Sequence, residues 1–172
     1  IEALTNISNN YLYKDTLRYE DIKKPLVFKK LLTILALQVG SEVSLNKLSN
    51  EVNVSIQTVE KYLDILEKNF IVFSLMSFSR NISKSRKYFF YDLGLRNSII
   101  NNFNQMSLRQ DAGQLWENFC ILERKKFNHY SKKHKNLYFW RTYDQQEIDL
   151  IEEYGGRFYT FEFKYNTDKA KL

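Results

Sequence analysis

"EIDLIEEYGGRFYTFEFK", residues 147–164, sets two apolar-rich runs around a Gly-Gly pair and plants carboxylates in both. Gly155-Gly156 suits a two-residue turn, because both central positions of such a turn favour positive φ. The reading is therefore an antiparallel hairpin in which Glu147 faces Lys164, Asp149 faces Glu162, Ile151 faces Thr160 and Glu153 faces Phe158. Strand side chains alternate, so these eight share one face, and Ile148, Leu150, Tyr159, Phe161, Phe163 and Tyr165 form a core layer on the other. Asp149 and Glu162 are then expected about 5 Å apart, a like-charge pair that weakens a sheet by a few tenths to about 1 kcal/mol. Water, a neighbouring cation such as Lys164, or a divalent metal relieves such a pair, and a partly buried pair holds a proton. A solvated strand face is the plain alternative.

Upstream, "DAGQLWENFCILERKKFNHY" (111–130) reads as a helix with a buried stripe of Leu115, Phe119 and Leu122 and with Trp116 to one side. Glu117 lies off that stripe and adds a third carboxylate if the helix covers the hairpin's acidic face. Oxygen ligands from two strands and a helix suit magnesium or manganese. With "NLYFWRT" (136–142) the segment 111–172 becomes one helix and three strands, an α/β beginning that lacks a further covering helix.

Further back, Pro25 opens a helix that ends at Gly40. Ser44 and Ser55 cap two more helices, with a turn at Asn53 and an apolar stripe of Ile56, Val59, Leu63 and Leu66. "FIVFSLMSFS", the basic loop "RNISKSRK" and "YFFYD" follow, and Asp92 caps a short helix. Three helices, a strand, a loop and a strand form the winged-helix pattern. The domain reading is a connecting segment at 1–24, a winged-helix module at 25–100, a mobile linker at 101–110 and the αβββ segment at 111–172. The fold class is accordingly α+β, with an α/β second half.

The outer face of the third helix carries Gln57, Glu60, Lys61, Asp64 and Lys68, with Glu67 close by, poor complementarity to phosphate. Arg80, Lys84, Arg86 and Lys87 on the wing, and Lys125, Lys126, Lys132 and Lys133 in the basic run, are the candidate nucleic-acid contacts, with DNA favoured over RNA. The net charge of +6 permits such a partner without requiring one. Cys120, the one cysteine, reads as a buried structural thiol and fits a cytoplasmic setting; with only His129 and His134 besides, a His/Cys metal site is nearly excluded. No apolar run has membrane-spanning length. The chain opens on Ile1 rather than Met, which fits a piece of a longer protein.

"EID" followed after a hairpin by "EFK", with a helical Glu upstream, resembles the PD-(D/E)xK nuclease superfamily, with Ile148 where its Pro would be. "LSNEVNVSIQTVEKYLDILEKNFIV", "KYFFYDLGL", "GQLWENFCI" and "YFWRTYDQQEIDLI" extend the resemblance to the carboxy-terminal half of a family of prokaryotic AAA+-type ATPases with a domain of unknown function. It implies an ATPase module ahead of this chain, metal ligation by Asp149 and Glu162, an accessory acid at Glu117, and Lys164 orienting the attacking water. The chemistry it implies is metal-dependent phosphodiester hydrolysis. No G-x-x-x-x-G-K-[ST] occurs, so ATP belongs to that preceding module alone. Two further readings stay open: a catalytically silent interaction module that regulates the ATPase, and a winged-helix DNA-binding regulator.

Overall fold

The computed structural model describes residues 22–78, 85–142, 144 and 146–165. Helices α1 (Pro25–Leu37), α2 (Leu45–Val52) and α3 (Ile56–Lys68) come first, with a short strand β1 (Glu42–Val43) between α1 and α2. Pro25 stands in the first turn of α1. Ser44 Oγ accepts from Lys47 N and Ser55 Oγ from Thr58 N, each satisfying an amide that a helix start leaves open. Asn53 takes the left-handed conformation at the turn, with φ 55°.

Strands β2 (Val72–Ser77) and β3 (Arg86–Phe90) pair antiparallel, and α4 (Leu93–Ile99) follows with Asp92 Oδ1 accepting from Leu95 N. Helix α5 (Ala112–Tyr130) then leads into β4 (Asn136–Arg141), β5 (Glu147–Tyr154) and β6 (Arg157–Phe161). The six strands make one mostly antiparallel sheet in the order β1-β3-β2-β4-β5-β6, a mixed α+β fold. The join is a short parallel contact, Met76 with Tyr138 and Ser77 with Phe139, so the sheet runs unbroken past the expected module boundary.

Alternation along β2 and β3 builds two cores. Val72, Tyr88 and Phe90 pack with the amino-terminal helices, whereas Phe73, Leu75 and Phe89 join Ile121 and Leu122 of α5, Phe139 and Leu150. Both faces of these central strands are thus covered, which is why they read as continuous apolar runs. The stripe of α5 differs from expectation: Leu115, Asn118, Ile121 and Leu122 are buried, while Trp116 and Phe119 stack on each other outside at 5.7 Å. Asn118 fits because its amide accepts from Phe90 N (2.7 Å) and donates to Phe90 O (2.9 Å), leaving none of these groups unpaired. On α3, Val59, Leu63 and Leu66 of the expected stripe are buried and Tyr62 and Ile65 join them, while Ile56 is exposed.

The stretch 101–110 is tied down rather than free. Arg109 donates to Asn102 O, Asn97 Oδ1 and Asp111, and Arg96 donates to Ala36 O and Asp111. Asp111 is held well below the usual carboxylate range by the hydrogen bond from Arg109, against the effect of burial, with Arg96 adding to the lowering. Among the described residues no helix is long and apolar enough to cross a membrane.

Candidate functional site

The hairpin turns at the glycines in the expected register. Leu150 pairs with Phe161, Ile151 with Thr160, Glu152 with Tyr159 and Glu153 with Phe158, and Gly155 and Gly156 have φ of 59° and 72°. The ladder stops at Phe161, however, before Glu162 can face Asp149. Tyr159 and Tyr165 are exposed and Phe161 and Phe163 half-buried, so the expected core layer survives mainly at Leu150.

The reason lies on the other edge of β5. Tyr138 pairs with Ile151 but Trp140 with Ile148. Two steps along β4 therefore match three along β5, a bulge that sets Asp149 and Leu150 against Phe139. A bulge breaks the two-residue alternation and re-aims side chains. Asp149 and Glu152, of opposite parity, consequently both meet α5.

Asp149 is buried, and its Oδ2 accepts from Phe163 N at 2.7 Å, replacing the ladder bond that ends there. It shares an open cleft of about 420 Å³ with Gly113, Gln114, Glu117, Glu147, Phe163, Lys164 and Tyr165. Glu117, Asp149 and Lys164 thus come together as the sequence suggested. Glu162 does not: it is exposed and bonds Lys164 at 2.5 Å.

The cation inside this group is Lys87. Expected on an exposed wing, it is only 2% exposed. Its Nζ lies 3.1 Å from Glu117 Oε1, 2.5 Å from Glu147 Oε1 and 5.4 Å from the Phe139 ring centre. Alternation on β3 puts it there, because Lys87 points to the same side as Phe89, toward α5. Burial would lower its pKa, yet Glu117 and Glu147 raise it above the ordinary lysine value and keep it charged. Gly40, at φ 71°, opens the space behind; a Cβ there would meet Glu117 Oε2 at 3.4 Å.

Burial pushes the Glu117 carboxyl up to about 7, with Lys87 opposing and Asp149 and Glu147 adding to the rise. Burial also raises Asp149, against the Phe163 amide, Lys87 and Lys164. Beside it, half-buried Cys120 is raised by burial and by Asp149, the opposite of a reactive thiolate. Glu162 lifts Lys164 above the ordinary lysine range.

A divalent ion does not fit this donor set as it stands. An ammonium already sits among the acids, one Asp149 oxygen is committed to an amide, and Glu162 is turned away. Among the described residues no three His, Cys, Asp or Glu side chains group to hold a metal.

The basic residues separate. Arg80 and Lys84 lie outside the described residues. Arg86 donates to Ser74 Oγ and lines a recess with Glu60, Asp64 and Glu67. Lys126 pairs with Glu123, while Lys132 and Lys133 are exposed past the end of α5. Sequence reading missed Glu152, which is fully buried and accepts from Arg124, Asn128 and Lys135 at 2.5–3.0 Å. Burial alone would raise that carboxyl, but these three donors hold it below the ordinary value.

Residues 1–106 match the family model described as domain of unknown function DUF8612, and residues 112–171 that described as domain of unknown function DUF4143. Two uncharacterised proteins, of Mycobacterium bovis and Mycobacterium tuberculosis, are each 30% identical over 138 residues, covering 77% of this chain and 30% of theirs. An uncharacterised protein of Haemophilus influenzae is 29% identical over 106 residues, 56% of this chain and 26% of that protein. The chain therefore spans less than a third of the length of these relatives. No solved structure matches it significantly.

Proposed function

We propose that this chain, which belongs to the DUF8612 family and continues into a DUF4143 segment, is the carboxy-terminal module of an AAA+-type ATPase. In this reading it works as a catalytically silent interaction and regulatory module. The ATPase assignment rests on the sequence resemblance, and the greater length of the relatives leaves room for such a module.

The observation that carries the silent reading is Lys87 bonded to Glu117 and Glu147. A buried ammonium among carboxylates does what a metal would do for their repulsion. Removing one partner of a buried ion group costs about 3–5 kcal/mol, so the lysine is not readily surrendered to an incoming ion. Because Lys87 belongs to β3 and the acids to α5 and β5, the cluster ties β3 to α5 and to the hairpin.

A second reading, a magnesium- or manganese-dependent phosphodiesterase acting on DNA, has its own support. Glu117, Asp149 and Lys164 line one open cleft. It requires Lys87 to leave the acids and Glu162 to swing inward. Full-length protein incubated with supercoiled plasmid and either ion separates the two. The silent reading expects no nicking that an Asp149→Ala/Lys164→Ala double variant removes, and no heat of metal binding in calorimetry. Metal-dependent cleavage lost in the double variant would overturn it.

A further inference from the structure

A second cleft, of about 460 Å³, lies against the carboxy-terminal half of α5 and includes Phe70, Tyr91, Lys125, Asn128, Tyr130 and Lys133 in its walls. Its size falls within the roughly 300–1,000 Å³ typical of ligand sites. We propose that it seats one nucleotide of a single-stranded nucleic acid, the base against the Phe70 and Tyr91 rings and the phosphate toward Lys125 and Lys133.

The rings come first. Phe70 is 69% exposed and has φ 54°, a conformation that is an outlier for a bulky residue. The left-handed turn closes α3 as a Schellman motif, with Ile71 N donating to Leu66 O and Phe70 N to Glu67 O, and it leaves the large apolar ring outside the core. Phe70 meets Tyr91 edge-on at 5.7 Å, and Tyr91 leans on Phe73 at 5.0 Å, so the platform is braced from behind.

The charges come second. Lys125 lies 5.3 Å from the Phe73 ring centre and 5.9 Å from that of Tyr91. Among the described residues neither Lys125 nor Lys133 enters a salt bridge. The acids around them are largely engaged: Glu152 with Arg124 and Lys135, and Glu123 with Lys126, leaving Glu67 to act on Lys125 through space. Partial burial lowers the Lys125 pKa, as for a cation short of solvent and of a direct counter-ion. Finally, Asn128 Nδ2 is fixed on Glu152 Oε1, and its Oδ1 is a buried acceptor with no hydrogen-bond partner in the described structure. An unpaired buried acceptor is costly.

Ring faces beside unpaired cations are the elements by which proteins hold single strands without reading sequence. An acidic peptide would use the cations and leave the rings idle. The inference does not depend on what the Asp149 cleft does.

The test is fluorescence anisotropy of the full chain with a labelled twelve-nucleotide single strand at several salt concentrations. Phe70→Ala should weaken binding about 5- to 150-fold, the range of one lost base stack. Lys125→Gln/Lys133→Gln should weaken it and reduce the log–log salt slope by about 0.7, the contribution of one phosphate contact. Thermal melts establish that each variant is folded. Absence of binding overturns the proposal. So does a folded Phe70→Ala protein with unchanged affinity, or displacement of the strand by polyglutamate as effectively as by unlabelled strand.

Discussion

Glu117→Gln should make the protein more stable at pH 8, not less, although it removes one partner of a buried lysine. An ordinary glutamate ionises near 4.5, whereas burial holds this carboxyl at about 7. Between those values the folded chain keeps a proton that the unfolded chain releases. Stability linked to this group is therefore fully present below about pH 4.5 and is lost as the pH rises through about 7. At about 1.36 kcal/mol per pH unit the loss approaches about 3 kcal/mol. Glutamine carries no charge to desolvate, and its carbonyl oxygen can still accept from Lys87, which keeps Glu147 as its ionic partner at 2.5 Å. The assay is urea unfolding followed by tryptophan fluorescence at pH 5, 6, 7 and 8 for both proteins. The pH dependence of Asp111 and Glu152 is common to both and cancels in the difference. The variant should gain about 2–3 kcal/mol on wild type between pH 5 and pH 8, with the gain levelling off above about 7. A flat difference, or a variant that loses ground as the pH rises, would show that Glu117 is ionised throughout and would refute the argument.

Glu152→Ala should cost about 3–5 kcal/mol, because it strips the carboxylate shared by Arg124 and Lys135 from a fully buried position; a fall in the urea midpoint reads it directly. Asp111→Ala should cost about 2–4 kcal/mol at pH 7, where the carboxylate is fully ionised between Arg96 and Arg109. Because its folded pKa is depressed, that contribution is present above the ordinary aspartate range and is lost as the pH falls. The penalty measured by thermal melting should accordingly shrink in acid.

The hairpin register was legible because Gly155-Gly156 leaves few other turns, and the caps at Ser44, Ser55 and Asp92 were legible because a side-chain oxygen before an apolar repeat is a local signal. Asp149, Glu117 and Lys164 came together in one cleft as read. The pairing of Asp149 with Glu162 did not, because period-two reasoning assumes an unbroken ladder and the bulge opposite Phe139 has no local sequence signature. Lys87 was misplaced for a related reason. Within a basic run it looks like a wing residue, and only the covering of β3 on both faces turns it inward. Glu152 was missed because its partners lie 17 to 28 residues away. Its one local hint was an acid beside Ile151 in a strand otherwise rich in core residues.

These departures share a cause that bears on function. The strands expected to form a separate wing are the centre of one sheet, so β3 lends Phe89 to the core beneath α5 and Lys87 to the acids at its edge. Movement of β3 relative to α5 and the hairpin therefore breaks the apolar contacts of Phe89 and the ionic contacts of Lys87 together. Along α5 the consequences differ by half. Its first turns face an acidic cleft with Lys87 bonded among its carboxylates, whereas its last turns border Lys125 and Lys133, which enter no salt bridge among the described residues. On the single-strand proposal a polyanion docks at the second, where the exposed Phe70 ring stands beside cations that enter no salt bridge among the described residues.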